Sequence, residues 1–108
     1  YEADYQTAIN EETPRIRTTA ITSLHPNPFN PNLNIEFTLE RRGEVELSIY
    51  DIRGRLVRRL IQDERPAGPH VAQWDGKSDN GNQVASGIYF VRLEAMGRVD
   101  HRKAVMIK

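Results

Sequence analysis

Few side chains in this sequence have the types and spacing that chemistry at one site requires. The three histidines, His25, His70 and His101, lie in separate segments, and none has a second ligand at the spacing of an H-E-x-x-H zinc motif. Ser86 lies in A-S-G-I-Y, outside the G-x-S-x-G pattern of a serine nucleophile. We therefore expect no catalytic residues, no metal and no cofactor, and we expect that the chain is not an enzyme.

One loop is rich in possible oxygen ligands and at first sight resembles a calcium loop. Carboxylate and amide oxygens are offered by Asp75, Asp79, Asn80 and Asn82. However, Lys77 stands where an EF-hand loop has Asp or Asn, and no Glu closes the loop at the required spacing. The Asn80-Gly81 pair is typical of a tight turn. A turn stabilised by Asp and Asn side chains is the favoured interpretation, and a weakly bound cation is the alternative.

A cluster of arginines raises the question of nucleic-acid binding. Its members are Arg53, Arg55, Arg58 and Arg59. A nucleic-acid surface also needs interleaved aromatic residues and net positive charge. The chain has 15 Lys and Arg against 15 Asp and Glu, so its formal net charge is zero. We expect these arginines to form cross-strand pairs or protect a sheet edge, and we expect no nucleic-acid partner.

Length and composition allow one small domain with a modest core. The chain has 108 residues, 38% of them hydrophobic, and no cysteine, which excludes a disulfide scaffold and thiol catalysis. No apolar run approaches the roughly 20 residues that span a bilayer, so we expect no membrane insertion. The first residue, Tyr1, is not Met and no leader pattern follows it, which suggests a fragment or a processed product.

Alternation of apolar and polar residues predicts β-strands along most of the chain. Ile35, Phe37 and Leu39 share one face of the clearest run. The run R-L-V-R-R-L-I has apolar residues spaced by four and could be helical, but its β-branched content and the preceding turn favour a strand. About seven short strands indicate an all-β, immunoglobulin-like antiparallel sandwich. The residues predicted to point inward are Ile35, Phe37, Leu47, Ile49, Trp74, Tyr89, Val91 and Leu93.

Two segments are predicted to differ from the strands. Residues 1–19 are polar without a clean period, and we expect a linker or tail from an upstream domain, with the folded domain at residues 20–108. The segment H-P-N-P-F-N-P contains three prolines, which cannot continue a ladder or enter a helix. It is expected to hold the path into a strand that begins near Leu33, with Phe29 capping one end of the core.

Several motifs in a fixed order carry a family resemblance. N-P-F-N-P-N-L-N-I-E-F-T-L, V-E-L-S-I-Y-D-I-R-G-R-L-V-R-R-L, the run from A-G-P-H to R-L-E-A, and a closing R-K-A-V-M-I-K resemble the C-terminal sorting domain of type IX secretion cargo proteins. That family overlaps with the FlgD-type immunoglobulin-like domain. The resemblance covers about residues 24–108.

The resemblance implies a non-catalytic domain at the C-terminus of a larger exported bacterial protein. Such a domain acts as a sorting signal for the outer-membrane secretion machinery, after the cargo domain in the same chain has reached the periplasm. The cargo is then attached to the cell surface or released, so the implied location is secreted or cell-surface. A monomer is expected.

The resemblance also implies which residues form the recognition site. They are Asp51, Gly54 and Arg55 from one motif, Gly87 and Tyr89 from the next, and Lys103, Val105 and Ile107 from the last strand. Because the last strand alternates basic and apolar residues at the chain end, we expect a receptor to grip its edge by strand addition.

A structural spacer or a binding module beside a catalytic domain is the alternative function. Turn geometry, strand entry and core packing can explain Gly54, Gly87 and Tyr89, and Trp74 is most simply the large core anchor. A carbohydrate site usually exposes aromatic residues on a flat face. Most aromatic residues here fall on positions predicted to face the core, which argues against carbohydrate contact.

Overall fold

The computed structural model describes residues 19–108, and these form seven β-strands in two antiparallel sheets. The strands are β1 (Ala20–His25), β2 (Leu33–Leu39), β3 (Gly43–Asp51), β4 (Leu56–Arg65), β5 (Gly68–Trp74), β6 (Gly87–Ala95) and β7 (Arg98–Met106). One sheet has the order β1-β2-β5 and the other β4-β3-β6-β7. The predicted all-β, immunoglobulin-like sandwich is therefore confirmed. Residues 1–18 of the predicted linker lie outside the described residues.

Period-two alternation builds the core between the sheets. In β2 every second residue from Leu33 to Leu39 is buried, and the residues between them are partly exposed. The same pattern runs through β6 from Tyr89 to Ala95. All the residues predicted to point inward are buried. Burying one large aliphatic or aromatic side chain contributes about 1.5–3 kcal/mol, so this face drives the two sheets together.

Trp74 anchors one end of the core, as predicted. Its side chain is fully buried, and its ring centroid lies 5.5 Å from that of Phe29 and 5.4 Å from that of Tyr89. The indole Nε1–H donates a hydrogen bond of 2.9 Å to the carbonyl of Lys77, so its polar atom has a partner. Phe29 is buried against it, which confirms that the proline-rich segment places a cap on the core.

β4 is a strand, as favoured, and two irregularities explain why its sequence also fits a helix. Val57 and Leu60 are skipped in the register between β4 and β3. Each extra residue reverses the alternation of inward and outward side chains. Apolar residues therefore occur in adjacent pairs in this strand instead of at every second position, and the pairs recur at the spacing of a helical turn.

The proline segment, residues 25–31, runs beside the end of β7. The Phe29 N–H donates to the carbonyl of Val105 at 2.9 Å, and the Ile107 N–H donates to the carbonyl of Phe29 at 3.0 Å. Phe29 and Met106 form a parallel bridge at this point. The segment therefore adds a short parallel pairing to the outer edge of the last strand.

The start of β1 is also tied to β7, although the two strands belong to different sheets. A carboxylate oxygen of Asp100 accepts the N–H of Ile21 at 2.9 Å, and the Arg102 guanidinium donates to the carbonyl of Ile21 at 2.7 Å. Thr19 is buried, and its Oγ1 accepts the N–H of Glu40 at 3.2 Å. The packed part of the chain thus includes Thr19, one residue before the domain start that we predicted.

Candidate functional site

The predicted recognition residues converge at one end of the four-stranded sheet, which we call the turn end. Asp51 of β3 lies opposite Tyr89 of β6, and Tyr89 lies opposite Ala104 of β7. The neighbouring positions at this end are Gly54, Arg55, Gly87, Lys103, Val105 and Ile107. Antiparallel pairing brings together the end of β3, the start of β6 and the end of β7, so three motifs that are far apart in sequence share one region.

Asp51 organises the turn between β3 and β4. Its Oδ1 accepts the backbone N–H groups of Arg53 and Arg55, both at 2.9 Å, and its Oδ2 accepts the Nε–H of Arg55 at 2.9 Å. Gly54 has a φ of 83°, a conformation that favours glycine. The backbone hydrogen bond from Arg55 holds the pKa of Asp51 below its usual value, and the Arg55 side chain and Arg53 N–H add to this effect. The ionised carboxylate therefore specifies the shape of the turn.

Tyr89 and Gly87 also have structural roles at the turn end. The Tyr89 hydroxyl donates a hydrogen bond of 2.6 Å to the carbonyl of Ala85, an arrangement similar to the tyrosine corner of immunoglobulin-like sandwiches. Burial raises the pKa of Tyr89, and the negative charge of Asp51 raises it further. Gly87 begins β6 with a φ of 152°, which residues with a Cβ rarely adopt. These side chains fix the geometry around which the exposed residues are arranged.

The edge of β7 is not open at the predicted contact residues. The Asn27 side chain accepts the N–H of Val105 at 3.0 Å and donates to the carbonyl of Lys103 at 3.2 Å. The Phe29 N–H donates to the carbonyl of Val105, and the Phe29 carbonyl accepts the N–H of Ile107. Our expectation of strand addition at this edge is therefore wrong, because the proline segment already occupies it. The Lys103 and Ile107 side chains remain exposed, so recognition by side chains is still open.

Two aromatic residues at the turn end are not among the recognition residues predicted from the sequence. Tyr50 and Phe90 lie directly opposite each other in the β3–β6 ladder, and both are half-buried on the outer face of the sheet. Tyr50 follows the core residue Ile49, and Phe90 precedes the core residue Val91. Alternation along the two strands could therefore have identified both aromatic side chains as outward-facing. The other described aromatic residues, Phe29, Phe37, Trp74 and Tyr89, are buried, as expected.

The carboxylates of the loop after β5 serve the fold. Asp75 Oδ1 accepts the N–H of Lys77 at 3.0 Å, which is the hydrogen bond of an Asx turn. The Arg58 guanidinium lies 3.4 Å from Asp75 Oδ1 and 4.0 Å from Asp79 Oδ1. A cation here would have to displace this fixed positive charge, so the geometry favours the turn over the cation. Within residues 19–108, no group of three or more potential ligands is placed to hold a metal ion.

The histidines lie in three different environments. His25 Nε2 is 2.8 Å from a carboxylate oxygen of Glu36, and His70 Nε2 is 2.8 Å from the carbonyl of Pro66. The His70 ring also stacks on Phe37, with centroids 5.2 Å apart, while His101 is exposed on β7. The structure therefore does not bring the histidines together. Among the described residues, no helix has the length and apolar character needed to cross a membrane.

Comparison with curated proteins finds two similar FlgD proteins. The chain is 36% identical over 76 residues to the basal-body rod modification protein FlgD of Salmonella typhimurium, and the match covers 70% of this chain and 30% of that protein. The FlgD of Salmonella typhi matches to the same extent. The chain thus spans about 30% of the length of the curated relatives that it matches.

Two solved structures from Porphyromonas gingivalis contain a similar sandwich. Dimeric latent PorU aligns with a TM-score of 0.68 and 20% identity over 95% of this chain and 10% of PorU, a likeness that shows the fold alone. PorZ, described as an essential bacterial surface component of the type-IX secretion system, aligns with a TM-score of 0.56 and 25% identity over 82% of this chain and 11% of PorZ.

A family model identifies the group of domains to which the chain belongs. The model of the FlgD Ig-like domain matches residues 30–98. That range contains strands β2 to β6, and therefore also the Asp51 turn and the Gly87–Tyr89 motif. On this match over more than half of its length, the chain belongs to the FlgD Ig-like domain family.

Proposed function

We propose that this chain is the non-catalytic sorting domain of a larger exported bacterial protein. The outer-membrane secretion machinery recognises it, and its cargo is left at the cell surface or released. The observation that carries this proposal is the convergence of three distant motifs at the turn end. Asp51 is paired with Tyr89, and the next residue of β6, Phe90, is paired with Lys103. A receptor that reads one surface can thus contact all the motifs at once.

The relatives support the larger context of the proposal. The sandwich occupies only 11% of PorZ, which supports a module attached to a larger cargo protein. The description of PorZ as a surface component of the type-IX secretion system supports a secreted or cell-surface location. The zero net charge argues against nucleic acid as a partner, and we propose that the domain is a monomer.

A reporter fusion tests the proposal. The full 108-residue chain is placed after a periplasm-targeted fluorescent protein in a host that has type IX secretion, and the reporter is measured in the periplasm, at the surface and in the medium. The unmodified chain should move the reporter out of the periplasm. Lys103→Ala should reduce export more than it reduces stability, because one exposed charge contributes about 0–1 kcal/mol. Lys77→Ala, at another exposed lysine, is the matched control.

Point variants are needed because a deletion would be ambiguous. Removing residues 103–108 would also remove Ala104 and Met106, which are buried in the core. Thermal melting of each variant separates loss of export from loss of folding. Normal export of the Lys103→Ala fusion would exclude Lys103 from recognition, and a folded but unexported wild-type fusion would contradict the sorting function itself.

A structural spacer is the second candidate, and the internal contacts of the motif residues favour it. Asp51 shapes its own turn, Gly87 permits the entry to β6, and Tyr89 bonds to Ala85. Residues with such roles need no receptor to explain them. If the wild-type fusion remains in the periplasm while folded, the spacer function takes the place of sorting.

A further inference from the structure

The outer face of the four-stranded sheet carries a cluster of apolar side chains at the turn end. We call it the outer patch, and its members are Tyr50, Ile52, Ile88, Phe90 and Val105. Tyr50 pairs with Phe90, and Ile88 pairs with Val105, so the members lie in two neighbouring rows of the sheet. Ile52 is 67% exposed and Ile88 is 37% exposed. Contiguous exposed apolar surface of this kind marks interaction sites in soluble proteins.

The outer patch is shaped by two shallow depressions that meet at Asp51 and Ile52. One has a volume of about 280 Å³ and is lined by Tyr50, Phe90, Arg92 and His101 beside Ile52. The other has a volume of about 340 Å³, and Arg53 and Ile88 are among its lining residues. Two adjacent depressions of this size suit two successive side chains of a bound segment that point the same way.

Two basic side chains, Arg53 and Lys103, border the outer patch without an ion-pair partner among the described residues. Lys103 lies beside Phe90 on β7, and Arg53 follows Ile52 in the turn. Among the residues that the structure describes, no carboxylate lies within ion-pair distance of the Arg53 or Lys103 side chain. The nearest turn carboxylate, Asp51, already accepts hydrogen bonds from its own turn. The chain has no net charge, so this positive surface is a local feature.

We propose that the outer patch binds an extended protein segment whose surface-facing positions, every second residue, carry two apolar side chains flanked by carboxylates. The apolar side chains would fill the depressions at Ile52, and the carboxylates would pair with Arg53 and Lys103. Complementary charge of this kind orients a partner and excludes basic ones. An anionic membrane is a poorer match, because membrane recognition uses clusters of about 4–8 basic residues. The proposal goes beyond the proposed function and holds whether or not the domain directs export.

A peptide titration tests the proposal on the full chain. The isotope-labelled protein is titrated to about 1 mM, a concentration chosen for weak binding, with a synthetic peptide in which aspartate, isoleucine, phenylalanine and aspartate stand at every second position, separated by serines. Two control peptides replace aspartate with lysine or the apolar residues with serine. We expect NMR shifts at the outer patch with the first peptide and none with the controls. Raising the salt from about 0.05 to 0.5 M should weaken binding, because it screens the charges.

Surface variants locate the binding site. Ile52→Asp and Lys103→Glu should each weaken binding by roughly tenfold or more, because they place like charges against the peptide. Val71→Asp is the matched control for Ile52→Asp, since Val71 is 66% exposed on the other sheet. Lys77→Glu is the matched control for Lys103→Glu. Both controls should bind as the wild type does, and thermal melting of all four variants checks that each is folded.

Several results would overturn the proposal. They are the absence of shifts at the outer patch at 1 mM peptide, equal binding of the lysine peptide, or equal weakening by the control variants. Concentration-dependent shifts of Tyr50 and Phe90 without peptide would identify a second copy of the chain as the occupant instead. Binding to anionic phospholipid vesicles that Ile52→Asp abolishes, without peptide binding, would identify a membrane. Because none of these measurements involves export, they leave the test of sorting independent.

Discussion

At the scale of single residues, Asp51 links charge to backbone shape. Its carboxylate receives three hydrogen bonds from the turn that follows it, and two of them come from backbone N–H groups. These bonds favour the ionised form, which is why the pKa of Asp51 is lowered. A folded-state pKa below that of the unfolded chain makes folding more favourable when the carboxylate is ionised. Asp51 is thus a source of pH-dependent stability at the turn end.

The contribution of Asp51 should disappear in acid. An unfolded aspartate has a pKa of about 3.9, so the stabilisation is fully present above about pH 5 and is lost as the pH falls through the lower folded-state pKa. We expect Asp51→Asn to lower the urea midpoint at pH 7 and to match the wild type near pH 2. Glu44→Gln, at an exposed carboxylate of the same strand, is the matched control. A difference between Asp51→Asn and wild type that does not change with pH would contradict this cause.

Trp74 tests the core at the same scale. Trp74→Ala should lower the free energy of unfolding by roughly 3–5 kcal/mol, because it leaves a cavity against Phe29 and Tyr89. Urea unfolding followed by far-UV circular dichroism measures this change without relying on tryptophan fluorescence. Trp74→Phe should lose less, since it fills part of the space. A loss below about 1 kcal/mol for Trp74→Ala would mean that the side chain is not buried.

At the scale of elements, the proline segment and β7 form one unit. The prolines prevent the segment from continuing β1 and leave Asn27 and Phe29 to bond with the edge of β7. An uncovered edge strand is a template for pairing with other chains. The segment therefore protects the last strand, in addition to placing Phe29 in the core.

Loss of the Asn27 side chain should loosen the end of β7. Asn27→Ala removes the acceptor for the Val105 N–H and the donor to Lys103, so we expect about 1 kcal/mol less stability. Native-state hydrogen exchange should show faster exchange of the Val105 amide. Asn32→Ala, in the same loop, is the matched control because Asn32 is exposed. Equal exchange rates in the two variants would exclude Asn27 as a tie to β7.

The strands were predictable because alternation is a local signal. Ile35 and Phe37 reveal the buried face of β2 without any knowledge of its neighbours. The secondary structure of β4 was ambiguous because two of its residues are skipped in the pairing with β3. Such bulges depend on how the two strands pair, which the sequence of β4 alone does not show. The hydrogen bond from Asn27 to Lys103 could not be predicted, because 76 positions separate the two residues. Neither residue lies in a local sequence pattern that indicates its partner.

At the scale of the whole molecule, the candidate site is a product of topology. No spacing in the sequence places Asp51 beside Tyr89 or Phe90 beside Lys103; the order β3-β6-β7 in the sheet does so. The family resemblance supplied the site residues, and the fold supplied their proximity. The outward direction of Tyr50 was readable from alternation, but its place opposite Phe90 required the strand register.

From the parallel pairing of the proline segment with β7 we expect the domain to resist mechanical force. Contacts of β1 and the proline segment with β7 advance together along the chain, from Ile21 with Asp100 to Phe29 with Val105. Tension between the two ends would load these bonds in shear, so that they resist together and do not open one after another. In single-molecule pulling, which reports the unfolding rate under load, Asn27→Ala should lower the peak force and Asn32→Ala should not. A sandwich that ties its first and last strands in this way can transmit load between an attached protein and whatever holds its other end.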